Sequence, residues 1–244
     1  MTRLLVVNPN TTQTMTETIA LAARQAAGQG TVIEAATASM GPVSIEGYYD
    51  EAFAVPGLLA QIAAGEKAGA EAAIIACFDD TGLDAARAMA TMPVVGICES
   101  ALSLAAMVSK RFTVVTTMER SRVPIEELVD RYGMARKAHV RAANISVLSL
   151  EDPNSGARDK LRSEITRALI EDNAEAIVLG CAGMADLART LQAEFGMPVI
   201  DGVGAAIKQA EALVALGLST SKRGAYAAPV SKPYAGILAG FAPA

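Results

Sequence analysis

The sequence predicts an α/β protein of two pseudo-symmetric lobes, each a short, mainly parallel sheet flanked by helices, with a binding site in the cleft between them. Three observations predict it. First, one stretch occurs twice: residues 70–98 read AEAAIIACFDDTGLDAARAMATMPVVGIC and residues 174–203 read AEAIVLGCAGMADLARTLQAEFGMPVIDGV. Each copy runs from Ala-Glu-Ala through a short apolar run to a cysteine, then through an Ala- and Leu-rich segment of helical period to Met-Pro-Val and a second apolar run. One inserted residue aligns the copies, and Cys77 and Cys181 fall on equivalent positions 104 apart. Second, the order of elements is that of a parallel sheet, because a short apolar run bounded by turn signals and followed by a 3.6-residue period is a buried strand leading into a helix. Third, RLLVV (3–7) recurs as RFTVV (111–115), an offset of 108, so the duplication covers whole halves.

In chain order, RLLVV is a buried strand and NPNTT follows at its carboxyl end. Pro9 holds Asn8 out of the helical region, and Asn10, Thr11 and Thr12 are N-cap types for a helix with apolar face Met15, Ile19, Ala22, Ala23 and Ala26. Gly28 and Gly30 end it, and a strand follows at about 31–37. SMGPVSIEGYYDEA (39–52) has no clean period and reads as either a surface connection or a flap over the cleft. A helix near 57–68 leads into the first repeat copy, and a helix at 99–109 follows it. After RFTVV come a Thr-rich turn and an amphipathic helix. Next are a strand-like run HVRAANISVLSL (139–150), the turn EDPNSG, a helix at about 156–172, the second repeat copy and a helix to about 216. The tail has no counterpart in the first half and reads as a segment returning to the first lobe. The expected division is therefore 1–98 plus 217–244 for one lobe and 99–216 for the other.

Composition limits the function classes. Hydrophobic residues make up 52% of the 244, aromatics 4%, and Trp is absent, so the core is built from Ala, Val, Ile, Leu and Met. No apolar run approaches the roughly 18 residues of a membrane span, and the polar turn after RLLVV leaves no secretory apolar region. A net charge of −5 gives no reason to expect nucleic acid or an anionic membrane as partner. Three cysteines, an odd number, do not suggest a disulfide framework. The expectation is a reduced, cytoplasmic protein whose partner is a small molecule.

Both repeat cysteines fall just past the carboxyl end of a strand, where open α/β sheets bind ligands. A pseudo-twofold axis between similar halves places Cys77 and Cys181 on opposite walls of one pocket. Two proton carriers on opposite faces of a planar carbanion can deprotonate one face and reprotonate the other, which is racemisation or epimerisation. Helix N-termini after each cysteine are expected to lower the thiol pKa and to supply N–H groups for an enolate oxygen. Read as packing, each cysteine is a small buried hydrophobe. That reading suits Cys98, which aligns with Val203, better than the matched pair.

The motifs VVNPNT, GPVSIEGYYDEA, CFDDTGLDAAR, VVTT with ERS, LGCAGM and PVIDGV resemble, in order and over nearly the whole chain, those of the aspartate/glutamate racemase superfamily and its hydantoin racemases. The resemblance implies a cofactor-independent homo-oligomer in which one cysteine removes and the other returns the proton at C5 of a hydantoin, a cyclic ureide. By position, Cys77 and Cys181 match the catalytic pair. Asn10, Phe78, Asp79, Thr116, Thr117, Ala182 and Gly183 match the substrate pocket. The chain departs from the amino-acid racemases, which follow their cysteines with Asn-Thr and Thr-His. Phe78-Asp79 and Ala182-Gly183 stand here instead, and an anionic Asp79 beside Phe78 receives a carboxylate poorly. A neutral ring with N–H donors and carbonyl acceptors suits these residues better. Allantoin, itself a hydantoin, is the nearest rival substrate. An arylmalonate-type decarboxylase, which keeps one of the two cysteines, and a non-catalytic two-lobed binder are further readings.

Other candidates are weaker. His139, the only histidine, stands in a strand-like run without metal or triad partners and reads as structural. Asp80, next to Asp79, reads as a cap of the helix it precedes. No glycine pattern marks a nucleotide site, so no cofactor and no metal are expected.

Overall fold

The computed structural model describes residues 1–152 and 154–243. Pro153 of the predicted EDPNSG turn and Ala244 of the predicted tail lie outside the described residues. The first sheet contains β1 (Thr2–Asn8), β2 (Thr31–Thr37), β3 (Ala72–Ile75) and β4 (Val94–Gly96), in the order β2-β1-β3-β4. The second contains β5 (Phe112–Thr116), β6 (Ala138–Ala142), β7 (Ala176–Gly180) and β8 (Val199–Asp201), in the order β6-β5-β7-β8. All neighbours are parallel, and the two orders superimpose strand for strand. This is the two-lobed, duplicated architecture that the sequence predicts. The inner strands β3 and β7 are buried throughout, so they read as unbroken apolar runs rather than alternating ones.

The helices are α1 (Gln13–Ala26), α2 (Tyr48–Lys67), α3 (Leu83–Met89), α4 (Ile97–Val108), α5 (Arg122–Arg131), α6 (Ala157–Glu171), α7 (Ala188–Phe195) and α8 (Gly202–Ala215). The main core lies between the sheets, where Leu4, Val6, Ile74, Phe112, Val114, Val178, Val203 and Ile207 meet. There α4 and α8 pack on each other: α4 reaches β7 and β8, while α8 reaches β1, β3 and β4. Gly202 permits this, since a Cβ there would meet the Ile97 carbonyl at 2.7 Å. Separate clusters fill the backs of the two sheets, under α2 and α3 in the first lobe and α6 and α7 in the second. The tail runs along the first lobe: Thr220 donates to the Thr91 carbonyl (3.0 Å), and the Tyr226 hydroxyl donates to Asp84 (2.8 Å).

Two boundaries differ from expectation. Helix α2 begins at Tyr48, nine residues before the predicted start, and takes in Pro56 and the end of the predicted 39–52 loop. Its first turns expose Tyr49 (77%) and Phe53 (58%), so no apolar face announces them in the sequence. The strand predicted over 139–150 ends at Ala142; Asn144 takes a left-handed conformation (φ 52) and residues 147–151 form a 3-10 turn.

Candidate active site

The carboxyl ends of β1, β3, β5 and β7 converge on one cavity. Its walls are Asn10 and Met15 beyond β1, Ala76–Asp79 beyond β3, Thr116, Thr117 and Ser121 on the β5 side, and Gly180–Ala182 at β7, with Ile45 and Val147 closing it. The cavity volume is about 30 Å³, room for about two waters. Cys77 and Cys181 are both free thiols. Their sulfurs lie deep in the protein, and the surface that the two residues keep faces this cavity.

The backbone repeats around each cysteine. Two residues on, the N–H groups of Asp79 and Gly183 point at the respective sulfurs. One residue on, those of Phe78 and Ala182, both on the cavity wall, have no hydrogen bond among the described residues. Gly183 itself is not on that wall; it lines an adjoining pocket with Met15, Val147 and Leu150.

Both thiols titrate higher than the sequence suggests. Burial, then the Asp79 carboxylate, pushes Cys77 well above the usual thiol range. Burial pushes Cys181 up to about 11, against the lowering effect of the Gly183 N–H. The expected helix termini are missing: α3 starts six residues after Cys77, and a 3-10 turn over Ala182–Leu187 follows Cys181. Neither thiol therefore receives the full field of an α-helix N-terminus.

The polar groups divide into donors and acceptors. The Asn10 carboxamide oxygen already accepts from Asn8 Nδ2 (2.8 Å) and the Thr12 N–H (2.9 Å). Its Nδ2 has only the weak acceptor Met15 Sδ (3.2 Å), so Asn10 offers donors to the cavity. Thr116 Oγ1 donates to the Gly180 carbonyl across the strand ends (3.2 Å), and Thr117 and Ser121, both on the cavity wall, make no side-chain hydrogen bond among the described residues. Ile45, Val147 and Ser121 are wall residues that the sequence reading does not assign, because turns and loops deliver them. Burial, Glu51 and Asp80, in that order, raise Asp79 to about 7, and its carboxylate has no hydrogen bond among the described residues.

Asp80 is a correction. It caps α4 rather than its own helix, accepting from the Cys98 and Glu99 N–H groups (both 2.9 Å) and the Tyr132 hydroxyl (2.8 Å). Burial still raises it to about 6, against those three bonds. Cys98 is wholly buried in the main core, and His139 lies exposed on β6, away from the cavity. A wider cleft of about 640 Å³ adjoins through Asp79, lined by Tyr48, Glu51, Asp84, Arg87, Glu127, Arg131 and Tyr132 among others. Among the described residues no cluster of His, Cys, Asp and Glu could hold a metal ion, and no helix is long and apolar enough to cross a membrane.

Two matched α/β lobes thus bring one cysteine each to a single cavity between them. The chain belongs to the Asp/Glu/Hydantoin racemase family, which it matches over residues 4–210. It is 49% identical over 241 residues to a hydantoin racemase of Pseudomonas sp. (strain NS671), covering 98% of this chain and 96% of that protein. Among solved structures it resembles the allantoin racemase of Klebsiella pneumoniae (TM-score 0.97, 48% identity, all of both chains). It also resembles that of Pseudomonas fluorescens (TM-score 0.92, 39% identity, 96% of this chain and all of the other).

Proposed function

We propose that this protein is a cofactor-independent racemase of 5-monosubstituted hydantoins, in which Cys77 and Cys181 act on opposite faces of C5. The observation that carries the reading is the pair of free thiols, from equivalent strand ends of the two halves, on the walls of one small cavity. One cysteine, as thiolate, takes the C5 proton, and the C–H electrons pass into the adjacent C4 carbonyl as an enolate. The other cysteine, as thiol, gives its proton to the opposite face. The first sulfur ends as thiol and the second as thiolate, so the protein is left ready for the reverse turnover.

The free N–H groups of Phe78 and Ala182 and the Asn10 amide are the donors available to ring carbonyls and to the enolate oxygen. Raised thiol pKa values serve this chemistry, because a more basic thiolate is better matched to a weak carbon acid, although less of it is present at neutral pH. A five-membered ring would fill this narrow cavity, so the contacts that close its walls bear on how substrate enters. Glu46 and Tyr48, which bond across the cleft to the Val147 N–H (3.3 Å) and Glu127 (2.8 Å), are the contacts that opening would break.

Allantoin is favoured as a second reading by the wider cleft. The Asp79 and Glu51 carboxylates stand there without hydrogen bonds among the described residues, acceptors suited to the N–H groups of a C5 ureido arm. The test uses single enantiomers of 5-benzylhydantoin and allantoin in deuterated water with wild type, Cys77→Ser and Cys181→Ser. Wild type should lose optical rotation and incorporate deuterium, while each variant loses racemisation. Full activity in either variant, or no reaction of either substrate with wild type, would sink the proposal.

A further inference from the structure

Thr81 stands four residues beyond Cys77 in a tight turn closed by the Asp80 N–H on the Cys77 carbonyl (3.1 Å) and the Leu83 N–H on the Asp80 carbonyl (3.0 Å). It is wholly buried. Its Oγ1 is the one buried side-chain nitrogen or oxygen among the described residues without a hydrogen-bond partner of adequate geometry. Burying a hydroxyl in that state is unfavourable, and valine would fill the same space without the cost. From this turn the hydroxyl acts as a donor towards the Cys77 sulfur, an effect that favours the thiolate.

We propose that Thr81 is a positioning residue whose hydroxyl donates to the Cys77 sulfur when that sulfur is a thiolate. A neutral thiol is a weak acceptor, which accounts for the unmade bond in the resting site, whereas a thiolate accepts a charge-assisted bond from the same hydroxyl. Together with the Asp79 N–H it gives the Cys77 thiolate two donors, set against the repulsion of the Asp79 carboxylate. The second half has no such device: the position equivalent to Thr81 is Ala185, and Cys181 has the Gly183 N–H as its donor among the described residues. The two thiols are thus tuned by different means, and Thr81 offsets the heavier burden on Cys77.

This inference rests on Cys77 being a proton carrier, and its test is separable from that reading. The two enantiomers are equal in free energy, so kcat/KM must be the same from either hand and racemisation alone does not report on one thiol. Alkylation by iodoacetamide does, read peptide by peptide between pH 7 and 9 on the full chain, with Cys181 in the same digest as control. In Thr81→Val the Cys77 rate should fall about tenfold through loss of a charge-assisted bond, with Cys181 unchanged. Thr81→Ser should restore it, and Thr81→Ala should match Thr81→Val, which covers the case in which valine does not fold. An unchanged or faster Cys77 rate in both Thr81→Val and Thr81→Ala, both cysteines speeding up together, or Thr81→Ser failing like Thr81→Ala would overturn the assignment. Failure of the racemase reading would show instead as full racemisation by Cys77→Ser, whatever the alkylation rates.

Discussion

Replacing Asp79 by Asn should flatten the dependence of stability on pH. The carboxyl is raised from the ordinary 3.8 to about 7 in the folded chain, with burial as the main cause. Below about pH 4 it is protonated in folded and unfolded chains alike, so the native state loses nothing. Between about pH 4 and 7 the unfolded chain ionises while the folded one holds its proton, and unfolding becomes easier with each step. Above about 7 the loss is complete. About three pH units at 1.36 kcal/mol each give a ceiling of about 4 kcal/mol. Side-chain relaxation and water entering the adjoining cleft reduce it. At about 2–4 °C per kcal/mol for a chain of this size, Tm should fall by up to about 10 °C between pH 5 and 8. Circular dichroism is the suitable probe, since the chain has no Trp. Asp79→Asn should keep only the smaller fall due to Asp80, whose pKa is about 6. Equal losses in wild type and variant, or a wild type as stable at pH 8 as at pH 5, would refute the reasoning.

The remaining predictions follow from the same geometry. With Cys181 at about 11 and Cys77 raised as well, the thiolate fraction grows about tenfold per pH unit below those values. The logarithm of kcat/KM for racemisation should therefore rise with a slope near one between pH 7 and 9, and a plateau beginning below pH 8 would contradict the raised thiols. Gly96→Ala should destabilise the fold by about 3 kcal/mol in denaturant unfolding. Its Cβ would run into the Asp80 carboxylate that caps α4. A cost under about 1 kcal/mol would mean that the cap shifts freely.

Much of this architecture was legible because duplication writes it twice. The Cys77 and Cys181 copies supplied β3 and β7, and RLLVV with RFTVV supplied β1 and β5, whereas the order β2-β1-β3-β4 and its repeat, which depend on pairings distant in sequence, were not legible there. What stayed hidden lacks a periodic signature. The start of α2 exposes its aromatics, the break after β6 depends on a left-handed Asn144, and Ile45, Ser121 and Val147 arrive at the cavity on irregular segments. The thiol pKa values were misread for a related reason: the sequence places helical period after each cysteine but does not say that a five-residue turn or a 3-10 turn intervenes.

The division of labour around the two cysteines follows from how a duplicated site diverges. Backbone donors depend on chain path alone, so the paired N–H groups at Phe78 and Asp79 and at Ala182 and Gly183 persist in both halves despite unlike side chains. In the proposed mechanism, such a site would present nearly the same donors to either face of a planar ring, which proton transfer to both faces requires. Side chains are free to differ, and they do so in one half. Phe78, Asp79 and Thr81 carry the bulk, the charge and the hydroxyl, where Ala182, Gly183 and Ala185 carry none. If selectivity for the C5 substituent resides in side chains, it therefore resides in the first half. Exchanging Phe78 or Asp79 should then change which hydantoin is preferred, while exchanging Ala182 for another small residue should leave the preference as it was.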